Sequence, residues 1–123
     1  MICAVLGAGA WGAALADRLA RNAHDVRVWA YEPDVAESIN STHQNRFLAD
    51  VTLAESIRAS TEMKEVVSGA EFVVLVAPSH VTRAVAEAAQ PWLSSDATIV
   101  VASKGIEQHS LDRMSEVAAN VFG

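Results

Sequence analysis

The feature that most constrains this chain is a set of three glycines that follows its first apolar run. Gly7, Gly9 and Gly12 come directly after residues 2–6 in the spacing G-x-G-x-x-G, and an amphipathic stretch opens at about Ala10. The motif therefore lies between a predicted strand and a predicted helix. In that context Gly7 allows a tight turn, Gly9 lets a pyrophosphate approach the backbone, and Gly12 lets the helix pack closely on the sheet. The motif predicts a dinucleotide held at a helix N-terminus, and a glycine turn without a ligand is the alternative.

Further apolar runs follow along the chain. They occupy residues 26–29, 72–77 and 98–102, with a shorter candidate at 57–60. The three longer runs do not alternate with polar residues, which is typical of parallel strands buried on both faces.

Helical spacing separates these runs. Trp11, Leu15 and Leu19 fall at i, i+4 and i+8, and we expect them to form the buried face of the first helix. Pro33 suits the first position of a second helix, and Gly69 is placed to end a short one. Residues 40–54 are the least regular and are predicted to be a loop or a loop with partial helix. The alternation predicts an α/β fold, a Rossmann-like doubly wound parallel sheet with helices on both faces.

Composition excludes several classes of function. The chain of 123 residues fits one domain, and its net charge of −6 disfavours a general nucleic-acid partner. No segment reaches the roughly 18 consecutive apolar residues that suggest a membrane span. The single cysteine, Cys3, lies in an apolar run, so we expect a core residue in a reduced, cytoplasmic protein. The histidines show no spacing with Cys, Asp or Glu that is typical of a metal site.

The residues after the second strand indicate which dinucleotide binds. An acidic residue about 20 positions after the glycines holds the ribose hydroxyls in this fold, and Glu32 stands there with Asp34 close by. An arginine at this place would accommodate a 2′-phosphate, and none is present, so NAD is favoured over NADP. Tyr31 is placed to cover the adenine. The alternative is that Glu32 is an exposed acid near a helix N-terminus.

Over essentially its whole length the sequence resembles the NAD(P)-dependent glycerol-3-phosphate dehydrogenases. The glycine motif alone is shared by many dehydrogenases. More specific together are Trp11, the triplet Pro78-Ser79-His80 after one strand and Lys104-Gly105 after the next. Residues 20–24, 26–29 and 40–45 add to the resemblance.

The resemblance implies a dinucleotide domain followed by a helical substrate domain. It also implies reversible hydride transfer between sn-glycerol 3-phosphate and NAD(P)+, giving dihydroxyacetone phosphate. It places cofactor contacts at Ala10, Trp11, Tyr31 and Pro78, and it places Lys104 against both cofactor and substrate. Two positions depart from bacterial members. Ala10 stands where they often carry Ser, and Tyr31 stands where they often carry His or Arg, which adds to the expectation of NAD.

Lys104 also fits a binding role from the residues alone. It follows the last apolar run, at the carboxyl end of a strand where open α/β sheets bind ligands, and an ammonium there meets an anionic substrate as a point charge. The alternative is a solvated lysine. We expect Ser79 to cap a helix and His80 to lie near the nicotinamide without acting as acid or base. No catalytic residue is assigned.

The resemblance places the acid–base lysine of the family after the first domain. We therefore expect residues 1–123 to be an incomplete dinucleotide-binding domain that lacks the substrate domain and is inactive alone. An open sheet edge would then favour a homo-oligomer. Two alternatives remain: another dehydrogenase, of the 6-phosphogluconate or ketopantoate-reducing type, and a non-catalytic nucleotide-binding domain.

Overall fold

Strands and helices alternate along the chain. The computed structural model describes residues 1–48, 50–76 and 81–102. The strands are β1 (Ile2–Leu6), β2 (Asp25–Trp29), β3 (Arg58–Ser60), β4 (Phe72–Leu75) and β5 (Thr98–Val101). The helices are α1 (Ala10–Arg21), α2 (Pro33–Thr42), α3 (Met63–Val67) and α4 (Thr82–Ala89), and a 3₁₀ turn, Gln90–Trp92, follows α4. Each predicted strand is present within these ranges, with ends that differ by one or two residues.

The five strands form one parallel sheet in the order β3-β2-β1-β4-β5. Strand β1 lies at the centre, where Ala4 is in register with Arg27 on β2 and Val73 on β4. The chain builds outward from β1 to β3 and then returns to the other side of β1 at β4. This reversal of strand order is the point at which doubly wound sheets open a crevice at their carboxyl ends. The predicted fold class is confirmed.

The hydrophobic core lies on both faces of the sheet. Cys3 and Val5 belong to a cluster with residues of α1 and α2, whereas Ala4 and Leu6 belong to a second cluster with residues of α3 and α4. Successive side chains of a strand point to opposite faces, so both faces of β1 are covered. This double burial explains why the run at residues 2–6 is apolar throughout.

Cys3 is a core residue, as the sequence predicts, with 1% of its surface exposed. Burial raises the pKa of the Cys3 thiol, the N-terminal amine opposes this, and the carboxylates of Glu71 and Asp25 raise the pKa further. Reactive cysteines have lowered pKa values, so Cys3 has no features of a nucleophile.

The face that α1 buries differs from the prediction. The buried residues are Gly12, Ala13, Ala16 and Ala20, whereas Trp11 is 61% exposed. The expectation that Trp11, Leu15 and Leu19 form the buried face was therefore wrong, although Leu19 packs partly against the core. Only very small side chains fit because α1 lies so close to the sheet.

Residues 40–54, predicted as a loop or a loop with partial helix, begin with the last turn of α2. Helix α2 continues to Thr42 and ends at His43, which has a left-handed φ of 60°. Beyond it, Asn45 and Leu53 are buried, with 1% and 2% of their surfaces exposed. After α2 the chain folds back to the glycine turn, where Asn45 forms a hydrogen bond with Ala8.

Candidate functional site

The glycine turn joins the end of β1 to the start of α1. Gly7 has a φ of 141°, which L side chains rarely adopt, and its N–H donates to the carbonyl oxygen of Trp29 at 3.1 Å. Gly9 is the N-cap residue of α1, and its carbonyl accepts the first hydrogen bond of the helix, from the N–H of Ala13 at 2.9 Å. The N–H groups of residues 10–12 precede the helical hydrogen-bond ladder, so they are available to an anion in front of the turn.

Gly9 and Gly12 have opposite surroundings. A Cβ built on Gly9 meets no atom within 4 Å, so the space in front of this residue is open. A Cβ built on Gly12 would lie 2.0 Å from the Gly7 carbonyl oxygen, 2.9 Å from the Gly7 carbonyl carbon and 3.4 Å from Cγ2 of Val76. The space beside Gly9 is therefore open, whereas Gly12 lets the helix seat closely on the turn. The pyrophosphate contact expected at Gly9 stays a prediction.

Asn45 holds the glycine turn in place through a side-chain hydrogen bond. This role was not predicted from the sequence. Its amide Nδ2 donates to the carbonyl oxygen of Ala8 at 2.7 Å, and its Oδ1 accepts the N–H of Phe47 at 2.9 Å. Both Asn45 and Ala8 are buried. A buried amide that bonds to a distant backbone carbonyl holds two segments in one arrangement, so Asn45 ties the segment after α2 to the middle of the glycine turn.

The carboxyl end of β2 lies beside this turn. Tyr31 is 78% exposed, and its ring meets the ring of Trp29 edge-on with centroids 6.3 Å apart. Trp29 is itself fixed by a hydrogen bond from its Nε1 to the carbonyl oxygen of Thr61 at 3.0 Å. Glu32 is the N-cap residue of α2, and Pro33 and Asp34 lie in the first turn of that helix. An exposed aromatic ring and two acids thus stand at the edge where the motif predicts the adenosine.

An arginine occupies this edge as well, although none is adjacent in sequence. Nη2 of Arg46 lies 3.6 Å from Oε2 of Glu32, and Nη1 of Arg46 pairs with Oδ2 of Asp34. The guanidinium carbon also lies 4.8 Å from the centroid of the Phe47 ring. The expectation that no arginine lies here was based on the residues next to Glu32 in the sequence. Arg46 comes twelve residues after Asp34 and reaches the site because the chain turns back after α2.

Several predicted site residues lie outside the described residues. These are Pro78, Ser79 and His80, which follow β4, and Lys104, which follows β5. The described parts of both strands end at the same edge. The N–H of Val76 donates to the carbonyl oxygen of Leu6 at 3.2 Å, and the N–H of Ala102 donates to the carbonyl oxygen of Leu75 at 2.8 Å.

Two negative findings apply to residues 1–48, 50–76 and 81–102. No group of three or more His, Cys, Asp or Glu side chains is arranged to hold a metal ion there. No helix in these ranges combines the length and the apolar character needed to cross a membrane.

Comparison with known proteins identifies relatives of the chain. Residues 2–123 match the model of the NAD-dependent glycerol-3-phosphate dehydrogenase N-terminus. A glycerol-3-phosphate dehydrogenase [NAD(P)+] of Syntrophotalea carbinolica is 47% identical over 119 residues, which are 96% of this chain and 36% of the relative. The crystal structure of glycerol-3-phosphate dehydrogenase from Coxiella burnetii superposes with a TM-score of 0.90 at 32% identity, covering 98% of this chain and 37% of that one.

A ketopantoate reductase of Ralstonia eutropha superposes with a TM-score of 0.80 at 24% identity, covering 98% of this chain and 38% of that one. At this identity the likeness shows the fold alone. The chain thus spans about a third of the length of the curated relatives that it matches, at 36% and 33% of the first two. A ketopantoate-reducing enzyme would have the same fold, but the family model that the chain matches is that of glycerol-3-phosphate dehydrogenase.

Proposed function

The chain belongs to the family of NAD-dependent glycerol-3-phosphate dehydrogenases, whose N-terminal part it matches, and on that premise we propose that residues 1–123 bind the dinucleotide cofactor of such an enzyme. The whole protein would then transfer a hydride reversibly between sn-glycerol 3-phosphate and the nicotinamide, with dihydroxyacetone phosphate as the oxidised product. The observation that carries the proposal is the open space in front of Gly9, at the start of α1.

The described residues fit a dinucleotide. The pyrophosphate would lie against Gly9 and the N–H groups that open α1, where the positive end of the helix dipole favours an anion. Glu32 would accept hydrogen bonds from the ribose hydroxyls, and Tyr31 would cover the adenine. Trp11, which is 61% exposed beside the turn, would pack against the bound cofactor. The bound cofactor supplies a nicotinamide ring that accepts or returns the hydride.

Lys104 and Pro78 belong to the proposal through the family resemblance. Lys104 is the third residue after β5, and an ammonium at the carboxyl edge of the sheet would attract the substrate phosphate or oxygen. Pro78 is the third residue after β4 in the sequence and would border the nicotinamide. We propose NAD as the better ligand because the Arg46 guanidinium is already paired with Glu32 and Asp34.

Calorimetric titration of the purified chain with NADH tests the binding part of the proposal. We expect saturable binding to one site, and we expect Gly9→Ala to weaken it because the added Cβ enters the space assigned to the pyrophosphate. Arg18→Gln is the matched control, since Arg18 lies in the last turn of α1, at the other end of the helix. A chain that is folded by circular dichroism but binds neither NADH nor NADPH would contradict the proposal.

Turnover is tested on the protein purified from its natural source, by following nicotinamide absorbance with sn-glycerol 3-phosphate. Oxidation of this substrate is expected. Cofactor binding without turnover of it would instead favour a non-catalytic nucleotide-binding protein. Turnover of ketopantoate in its place would assign the protein to the other class of dehydrogenase.

A further inference from the structure

Arg46 pairs with both acids that follow the end of β2. Two of its nitrogens face two carboxylates, Nη2 towards Glu32 at 3.6 Å and Nη1 towards Asp34. Glu32 stands where this fold places the ribose hydroxyls of a dinucleotide. A guanidinium paired with Glu32 is therefore within reach of the ribose 2′ position.

The Arg46 side chain is held, but it is not buried. Its side chain is 52% exposed, and those of Glu32 and Asp34 are 36% and 64% exposed. Ion pairs at such exposure contribute little, because water solvates all three groups well. The Phe47 ring, 4.8 Å from the guanidinium carbon, holds the arginine beside the site. The guanidinium can therefore change partner without leaving this edge.

On the basis of the proposed function, we propose that Arg46 binds the 2′-phosphate of NADP, and that Glu32 and Asp34 set cofactor preference by competing with that phosphate for the same guanidinium. A guanidinium forms paired hydrogen bonds with phosphate oxygens as readily as with a carboxylate. With NAD bound, Arg46 stays paired with the acids, and Glu32 accepts the ribose hydroxyls through the carboxylate lone pairs that the guanidinium does not occupy. With NADP bound, Arg46 turns to the phosphate, and the two released carboxylates repel it.

The competition predicts opposite effects for the two sides of the ion pair. Removing the arginine takes away the only partner proposed for the 2′-phosphate, so NADP binding weakens. Removing a carboxylate takes away both a competitor and a source of repulsion, so NADP binding strengthens. A purely structural role for these ion pairs would instead change the affinities for NAD and NADP together.

The test is calorimetric titration of the chain with NAD+ and with NADP+, for the unchanged protein and three variants. We expect Arg46→Gln to lower the affinity for NADP+ about tenfold more than that for NAD+, and Asp34→Asn to raise the affinity for NADP+ several-fold, as for one charge-assisted contact. Arg46→Lys should recover part of the NADP+ affinity, because it keeps the charge and loses the paired geometry.

Arg18→Gln is the matched control for overall charge, and it should lower both affinities by the same small factor. Equal losses for the two cofactors in Arg46→Gln, or an unchanged NADP+ affinity in Asp34→Asn, would overturn the inference while leaving the proposed function intact. A folded, unchanged chain that binds neither cofactor would overturn both. Circular dichroism of each variant establishes that differences in affinity do not arise from unfolding.

Discussion

Replacing Gly12 by alanine should destabilise the fold, against the usual effect of this change in a helix. Alanine is favoured over glycine within helices by about 1 kcal/mol. Here, however, the added Cβ would lie 2.0 Å from the Gly7 carbonyl oxygen and 2.9 Å from its carbon. Both groups belong to backbone, so neither can rotate away, and α1 must shift outward from the sheet.

The magnitude follows from comparing the two effects. Inserting a carbon into a packed contact costs typically 1–3 kcal/mol and occasionally more, and a backbone-to-backbone overlap belongs at the upper end. When the gain in helix propensity is subtracted, the free energy of unfolding falls by about 2 kcal/mol. For a chain of 123 residues this lowers the melting temperature by roughly 8 °C.

Gly9→Ala provides the matched comparison. Gly9 has a φ of −71° and a ψ of −176°, a conformation that alanine adopts freely, and its added Cβ meets no atom within 4 Å. We expect its unfolding free energy to stay within about 1 kcal/mol of the unchanged chain. NADH binding should nevertheless weaken, so the two variants separate folding from binding.

Urea denaturation followed by circular dichroism, with calorimetry for NADH, measures both quantities. A Gly12→Ala chain as stable as the unchanged protein would refute the close seating of α1 on the glycine turn. A Gly9→Ala chain that loses stability to the same extent as Gly12→Ala would refute the assignment of separate roles to the two glycines.

Three further predictions concern single side chains. Asn45→Ala leaves the buried Ala8 carbonyl without its side-chain partner. It should lower the free energy of unfolding, measured by urea denaturation, by about 1–3 kcal/mol, and calorimetry should show weaker NADH binding. Asp17→Ala removes the acceptor of the Ala54 N–H as well as an ion pair. It should lower the free energy of unfolding, measured by urea denaturation, by more than the 0.2–1 kcal/mol typical of an exposed pair. Burial raises the pKa of the Cys3 thiol above 9.0, so the stability that the neutral thiol contributes is present below pH 9 and is lost as the pH rises through the folded-state pKa. Cys3→Ala should remove this decline in urea titrations at alkaline pH, and an identical decline in both chains would contradict it.

The sheet could be predicted from the sequence because its strands have a simple local pattern. Residues 2–6 are apolar throughout since both faces of β1 are covered, by α1 and α2 on one side and by α3 and α4 on the other. The glycine turn also has a local pattern, because the closest contact of Gly12 is with the Gly7 carbonyl, five residues earlier in the chain.

Features that depend on distance between elements could not be predicted in this way. Helical spacing identifies Trp11 as apolar but does not show how close α1 lies to the sheet, and that distance admits only glycine and alanine at the contact. Asn45 and Arg46 follow the end of α2, whereas the groups that they bind lie before that helix or in its first turn, so periodicity carries no sign of these contacts. Predicting these contacts requires knowing where the chain turns after Thr42.

The small-residue face of α1 has a consequence for the entropy of folding. Gly12, Ala13, Ala16 and Ala20 have no side-chain rotamers to lose when they are buried, so the contact between this helix and the sheet forms without that cost. It follows that the position of α1 depends mainly on backbone shape at this contact. The N–H groups at the start of α1 are therefore positioned with little loss of side-chain entropy at the contact between this helix and the sheet.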